Sequence, residues 1–397
     1  MLDSDDVTAG LIAQVSAFLS EHDPATTDRI EFLRARYAAG LAEVHYPAGD
    51  GGQGLPREHQ KLVNDAFERA GAPDNSPGLN VIGLGMAAPT ILAFGTPEQR
   101  ARFLPSLWTG EDIWCQLFSE PGAGSDLAGL AARAVRDGDE WIVNGQKVWT
   151  SVAHIARWGI LLARTDPDLP KHQGLSFFIC DMTAPGVEVR PLRQLTGDAE
   201  FNEVFFTDAR IPDADRLGSE GSGWAVARAT LMNERMAIGG NVPPRESGMI
   251  GAVARTWREH PERHQPGLHD RLLQLWVDAE AARLASSRLQ QKLAAGQPGP
   301  EGSAGKLVFA RLAQELSALE VELLGDEGLV YDQWAPSDLD AFDFIIRNPA
   351  FRYLRARGNS IEGGTSEVLR NVIAERVLGL PPEERPDTAV AWKDLPK

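Results

Sequence analysis

The chain has 397 residues, with 39 Lys and Arg against 56 Asp and Glu, for a formal net charge of −17. Hydrophobic residues make up 43% and charged residues 24%, the composition of a soluble globular protein with ample chain for a core. The acidic surplus argues against a broad phosphate-tracking surface, which needs clustered Lys and Arg, and no apolar run is long enough to span a bilayer.

The N-terminus, MLDSDDVTAG, lacks the basic and then apolar stretches of a secretory signal. Residues 1–112 read as helical, most clearly at Thr96-Pro97-Glu98-Gln99. There Thr is the cap, Pro the first helical residue, and Gln stands three places after the cap. From 113 to 220 the pattern turns to strands. Trp141 to Val143, Asn144-Gly145 and Val148-Trp149 predict a hairpin with a tight turn at Asn-Gly. Strands are also predicted over 157–164, 175–181, 187–192 and 202–207, spaced as in a small antiparallel barrel or sandwich. Cys115 and Cys180 lie in apolar surroundings and read as buried, reduced thiols of a cytoplasmic protein. From 221 to 397 helices return, with Leu312, Leu316, Leu319 and Leu323 drawing one apolar stripe.

Five places carry candidate chemistry. Glu234 interrupts the helical stripe of Trp224, Ala227, Leu231 and Ile238, where burial would raise its pKa toward that of a general base. A structural ion pair explains the same pattern. Gln116, Leu117, Phe118 and Ser119 run into a turn with Gly124 and Ser125, which suits close approach of a ligand or an ordinary β-turn. Trp149 and Ser151 set an aromatic face beside a hydroxyl, fit for a planar cofactor or for core packing. Gly363, Gly364, Thr365 and Glu367 open the last helix, as an anion site or a plain cap. Gly325 and Gly328 form a helix-ending turn. Gly83 to Ala88 loosely matches a dinucleotide fingerprint but lacks its βαβ setting, and reads as a loop or a helix-packing feature. The eight histidines show no metal-ligand spacing, so no metal is expected.

The order of these segments is more specific than any one of them. QLFSEPGAGSDLAGL, EWIVNGQKVWTS, ILLARTD, LMNERMAIGG and IEGGTSEVLRNVIAERVLGLP, preceded by YPAGDGGQGL and GTPEQRARFLPSLWTGE, resemble the acyl-CoA dehydrogenase family over nearly the whole chain. The resemblance implies an α+β fold: an N-terminal helical domain, a central antiparallel β-barrel domain and a C-terminal four-helix bundle. It implies FAD, an acyl-CoA substrate, and α,β-dehydrogenation to a trans-2-enoyl-CoA with the β-hydride passing to flavin N5. Electron-transfer flavoprotein would be the electron acceptor, and the assembly a homodimer or homotetramer.

Carried over by motif, Gln116 to Ser119 would lie along the flavin, and Gly124 and Ser125 beside the pyrophosphate or the CoA entrance. Trp149 and Ser151 would cover the ring, and Thr365 and Glu367 would meet the adenosine half. Gly325 and Gly328 would serve a neighbouring subunit's FAD. Many members carry the base where this chain has Gly363, which has no side chain. Others place a Glu on a helix before an arginine, here Glu234 before Arg235, so Glu234 is preferred over Glu362. The Gly363 N–H could still polarise the thioester carbonyl. The family's Arg-x-x-Phe-Gly stretch is missing, with Arg263 or Arg271 as replacements. A monooxygenase or oxidase on the same fold, and a non-catalytic subunit of a heteromer, are the competing readings.

Overall fold

The computed structural model describes residues 4–239, 242, 244–294, 302–331 and 347–396. Five helices come first: α1 (Ser4–Glu21), α2 (Arg29–Ala38), α3 (Gln60–Arg69), α4 (Ala88–Phe94) and α5 (Pro97–Thr109). The start of α5 is fixed as its sequence predicts. The Thr96 hydroxyl accepts from the Gln99 N–H at 3.2 Å, and the Gln99 side chain accepts from the Thr96 N–H at 2.9 Å. Ahead of α4, Gly83–Ala87 form a π-helical turn against buried Asn80. A side chain at Gly83 would meet the Asn80 amide at 2.3 Å, so this glycine serves packing. Asn80 in turn accepts from the Trp114 N–H at 3.1 Å and so sets the start of the first strand.

Eight strands follow: β1 (Trp114–Leu117), β2 (Arg133–Asp137), β3 (Glu140–Ser151), β4 (Trp158–Arg164), β5 (Leu175–Asp181), β6 (Val187–Pro191), β7 (Phe201–Pro212) and β8 (Arg216–Leu217). They pair in the order β6-β7-β3-β2-β4-β5-β8, with β1 added on β4. Most pairings are antiparallel, but β4 runs parallel to β1 and, through its last residue, to the start of β2, as the long connections between those strands permit. The hairpin expected at Asn144-Gly145 is not there. Strand β3 passes straight through those residues, and the register against β7 shifts between Val143 and Gly145. Ala132 would lie 2.7 Å from a Cβ at Gly145, so the glycine permits a bulge and a close crossing. The turn lies earlier, at Gly138 (φ +66°), between β2 and β3.

Among the described residues, the remaining α-helices are α6 (Gly223–Gly239), α7 (Gly248–Glu259), α8 (Pro266–Ala294), α9 (Gly302–Leu324), α10 (Pro349–Arg355) and α11 (Ser366–Arg376). Helix α9 is their centre and packs on α7, α8, α10 and α11. Its predicted stripe of Leu312, Leu316, Leu319 and Leu323 is buried against α7 and α8. Helix α6 belongs to another core, where Val226 and Ala227 pack with Trp108 of α5 and with Trp158 and Phe177 of the sheet. A buried contact of 2.8 Å between the Thr90 and Thr230 hydroxyls also holds α6 to α4. Cys115 and Cys180 are free and buried, and burial pushes the Cys180 thiol up to about 12. Among the described residues, no helix is long and apolar enough to cross a membrane.

Candidate functional site

The predicted cofactor segments converge on a hub that sequence reasoning missed. Lys147 of β3 is fully buried. Its Nζ donates to the Phe118 carbonyl at 2.9 Å and to the Glu120 carboxylate at 2.7 Å. Glu120 also accepts from the N–H groups of Ala131 and Ala132, at 2.6 and 2.9 Å. Two further bonds join Glu120 and Ala123 across the turn, and the Val148 N–H donates to the Ser119 carbonyl at 2.9 Å. Burial pushes the Lys147 pKa down, and the neighbouring Glu120 opposes that shift. The segment after β1 is thus locked to the strand that carries Trp149 and Ser151. Lys147 takes a core position in the alternation that includes Trp141 and Val143, the one local signal that could have revealed it.

Within this frame the predicted residues divide. The Leu117 and Phe118 side chains are buried in two different cores, so contact with a flavin would fall to their backbone. Gln116 and Ser119 are half-buried, while Gly124 and Ser125 are exposed. Nothing lies within 4 Å of where a Cβ would stand at Gly122 or Gly124, and neither has a positive φ. Neither conformation nor internal packing therefore calls for glycine there, whereas close approach of a ligand to the backbone does. Trp149 sits on a second bulge, between Lys147 and Thr150, with φ +59° and 58% exposure. A bulky residue in the left-handed region, with its ring held open to solvent, is a strained arrangement typical of sites. The open ring and the unfilled glycine turn fit a planar, phosphate-bearing group such as FAD.

The C-terminal segment reaches this place through Phe201. Trp149 packs edge-on against Phe201 at 5.9 Å, and the Arg355 guanidinium lies 5.7 Å from the same ring. Arg355 pairs with Glu362 at 2.9 Å and approaches Glu200 at 3.8 Å. Glu362 also accepts from Asn359 at 2.7 Å, so its carboxylate is committed to holding its own loop. From α9, Lys306 donates to the carbonyls of Asn359 and Gly364, at 2.6 and 2.9 Å. Phe201, Arg355 and Lys306 carried no motif signal, because they meet the site only through the fold. Gly363 (φ +61°) and Gly364 (φ +96°) take conformations that disfavour side chains. Thr365 caps α11 by accepting from Val368 at 3.2 Å, and exposed Glu367 pairs with Arg370 at 3.5 Å.

Glu234 and Arg235 fall in α6, but their side chains lie outside the described residues. The helix carries position 234 on from buried Ala227 and half-buried Leu231 on one face. Gly325 (φ +58°) and Gly328 both have reasons within the chain: the first ends α9, and a side chain at the second would meet the Val321 carbonyl at 2.6 Å. Arg263 binds this turn through the Leu324 carbonyl and Glu327, while Arg271 pairs with Glu322 on α9. A cavity of about 640 Å³ opens between α7, α8 and α9, but none of the candidate cofactor residues lines it. The geometry around Trp149 is therefore the better guide to the site.

Comparison with known proteins agrees with this layout. Residues 7–111, 115–209 and 221–378 match the families described as the N-terminal, middle and C-terminal domains of acyl-CoA dehydrogenase. The chain is 41% identical over 379 residues to the Mycobacterium tuberculosis acyl-CoA dehydrogenase FadE34, covering 94% of this chain but only 49% of FadE34. It thus spans about half of that relative. It is 39% identical to acyl-CoA dehydrogenase IpdE1 of the same organism, covering 92% of this chain and 91% of IpdE1. A solved structure titled Tcur3481-Tcur3483 steroid ACAD superposes with a TM-score of 0.72 at 25% identity, covering 96% of this chain and 99% of that one.

Proposed function

We propose, for a chain that belongs to the acyl-CoA dehydrogenase family, that it desaturates an acyl-CoA thioester between Cα and Cβ with Glu234 as the base. The observation that carries the reading is the joined site itself: an open Trp149 ring and a glycine turn, tied by Lys147 and linked through Phe201 to the Gly363 loop. Bound there, FAD would supply the acceptor for the hydride that leaves Cβ. The chain's own residues do the rest. Trp149 and Ser151 would cover the ring, while the backbone from Gln116 to Ser119 and around Gly124 and Ser125 would hold the cofactor and the thioester. Glu234 takes the α-proton, and the Gly363 N–H donates to the thioester oxygen as enolate charge grows on it.

The commitment of Glu362 to Arg355 and Asn359 supports Glu234 as the base. So does the left-handed backbone at Gly363, where a larger residue would be strained. Arg263, on the Gly325 turn, is the better stand-in for the missing family arginine, in a homodimer or homotetramer that shares FAD contacts across subunits. We take a cytoplasmic enzyme delivering electrons to an electron-transfer flavoprotein. The name of the steroid relative makes acyl-CoAs with bulky, ring-bearing acyl groups the first substrates to try.

Anaerobic spectra of the FAD-loaded protein test this, taken before and after adding acyl-CoAs graded in length, branching and ring content. Bleaching of the oxidised flavin band by one of them is expected. A flavin-bound protein that none of them bleaches would favour an oxidase or monooxygenase. A colourless protein that takes up no FAD would favour a subunit completing a partner's site, a reading to which the side-chain-free Gly363 also lends weight.

A further inference from the structure

The family match ends at residue 378, yet the chain continues and folds back onto the loop before β5. Arg385 anchors the root of this tail to Glu375 of α11 at 2.9 Å. Its far end then pairs with the loop before β5. The Trp392 N–H donates to the Leu169 carbonyl at 2.9 Å, and the Lys393 N–H to the Pro167 carbonyl at 3.0 Å. The Trp392 indole N–H donates to the Gly129 carbonyl at 3.1 Å. Asp387 pairs with Lys171, whose ammonium also binds both oxygens of Asp126 at 2.9 Å. Under the indole lies Arg164, 1% exposed, with its guanidinium 4.7 Å from the ring. Arg164 donates to the carbonyls of Ala128 at 2.6 Å and of Lys171 at 2.9 Å.

Apart from the Arg385 anchor on α11, these contacts end on the segment directly after Ser125, on the loop before β5, or on Arg164, which donates to both. Upstream, Glu120 holds the same turn to Lys147. The stretch from Gly122 to Ser125, exposed except at buried Ala123 and with glycines that face open space, thus lies between a buried ion pair on one side and the tail contacts on the other. Without the tail, the Arg164 guanidinium loses its indole cover, and Lys171 keeps only the exposed Asp126 as a partner for its ammonium. A pair of that kind, open to water, holds a loop weakly.

We propose that residues 381–396 are a strap that positions the Gly122–Ser125 turn for the coenzyme A end of the substrate, with Asp387 and Trp392 as positioning residues. This rests on the dehydrogenase reading above. Trp392 and Asp387 act only through Arg164, Gly129 and Lys171, so their loss weakens thioester binding without touching proton removal.

The test is the variant Asp387→Asn/Trp392→Ala, beside a chain ending at Leu380. The expected result is a KM for the bleaching acyl-CoA raised about tenfold, with kcat per bound FAD within about twofold, the signature of lost uniform binding. Amide exchange over residues 122–130 should also quicken. An unchanged KM overturns the strap, and so does a fall in kcat and FAD content with KM unmoved. If the shortened chain fails to fold, the double variant decides alone. Should no acyl-CoA bleach even the wild type, the dehydrogenase reading falls separately. Calorimetric titration with free coenzyme A then judges the strap: weaker binding by the double variant sustains it, and equal binding overturns it.

Discussion

The β-region wall of the site and the C-terminal loop meet at Phe201 but are held by different means. On the β side, a fully buried lysine and a buried glutamate bind two backbone N–H groups and a carbonyl, so main chain is fixed by charge away from water. On the other side, Arg355 and Lys306 hold a loop that includes half-exposed Glu362 and two left-handed glycines. The contrast teaches a division of labour. The wall assigned to the cofactor is preorganised at the cost of a buried ion pair, while the wall assigned to the thioester rests on contacts that can yield.

The sharpest way to break this comparison is Lys147→Met. It leaves Glu120 charged, buried and short of its partner, a loss of about 3–5 kcal/mol for a broken buried pair. Denaturant unfolding should show that drop, together with loss of FAD. Glu120→Gln/Lys147→Met removes the stranded charge and should recover much of the stability. If the single variant is as stable as the wild type, the hub is not what holds this wall. Next in size is Glu234→Gln, which should keep FAD yet slow its reduction by acyl-CoA at least ~100-fold, as for a lost general base. Stopped-flow reduction of Glu362→Gln is the control. Normal rates in Glu234→Gln with a loss in Glu362→Gln would move the base to the last loop.

Legibility in the sequence followed the range of the forces involved. Strand β5 was read to the residue, and the α5 capping box and the α9 stripe were equally plain, because each is set by neighbours a few positions apart. Asn144-Gly145 misled because its glycine suits a hairpin turn and a bulge alike. Only the partner strand β7 and the close approach of Ala132 select the bulge. The hub was harder still. Lys147 and Glu120 are 27 residues apart and join only when β1 and β3 come together. Glu234 lay between these cases: its stripe is local and legible, while what its carboxylate meets depends on the fold.

Acid probes a third region and sharpens the contrast by separating global from local loss. Burial, helped by the nearby Arg57, pulls the His45 pKa down to about 4. An unfolded histidine titrates near about 6.5. Between those values the unfolded chain binds a proton that the native chain refuses, so stability falls as pH drops through this window. Burial raises the neighbouring Glu43 in the folded state, and its contribution has the opposite sign. Urea unfolding should therefore show a loss on the order of 1 kcal/mol from about pH 7 to about pH 5, shallower in His45→Gln. Equal slopes in the two proteins would remove His45 from the account.

The smallest effect on stability tests the β wall most directly. Trp149 holds φ +59° with more than half its surface in water, so it gains little from burial and carries backbone strain of roughly 1–2 kcal/mol. Alanine at this position would keep the strain and lose the ring, whereas glycine would lose both. Trp149→Gly should then be more stable than Trp149→Ala by about 1 kcal/mol, the reverse of the order expected in an ordinary strand. Both variants should release FAD more readily, since both remove the aromatic face. Thermal melts and flavin retention after gel filtration read the two quantities separately. Alanine equal to glycine in stability would mean that the left-handed bulge is not held in solution, and full flavin retention would mean that Trp149 does not cover the ring. Glycine more stable than alanine, with cofactor lost from both, is what a residue kept for its ligand rather than for its fold should produce.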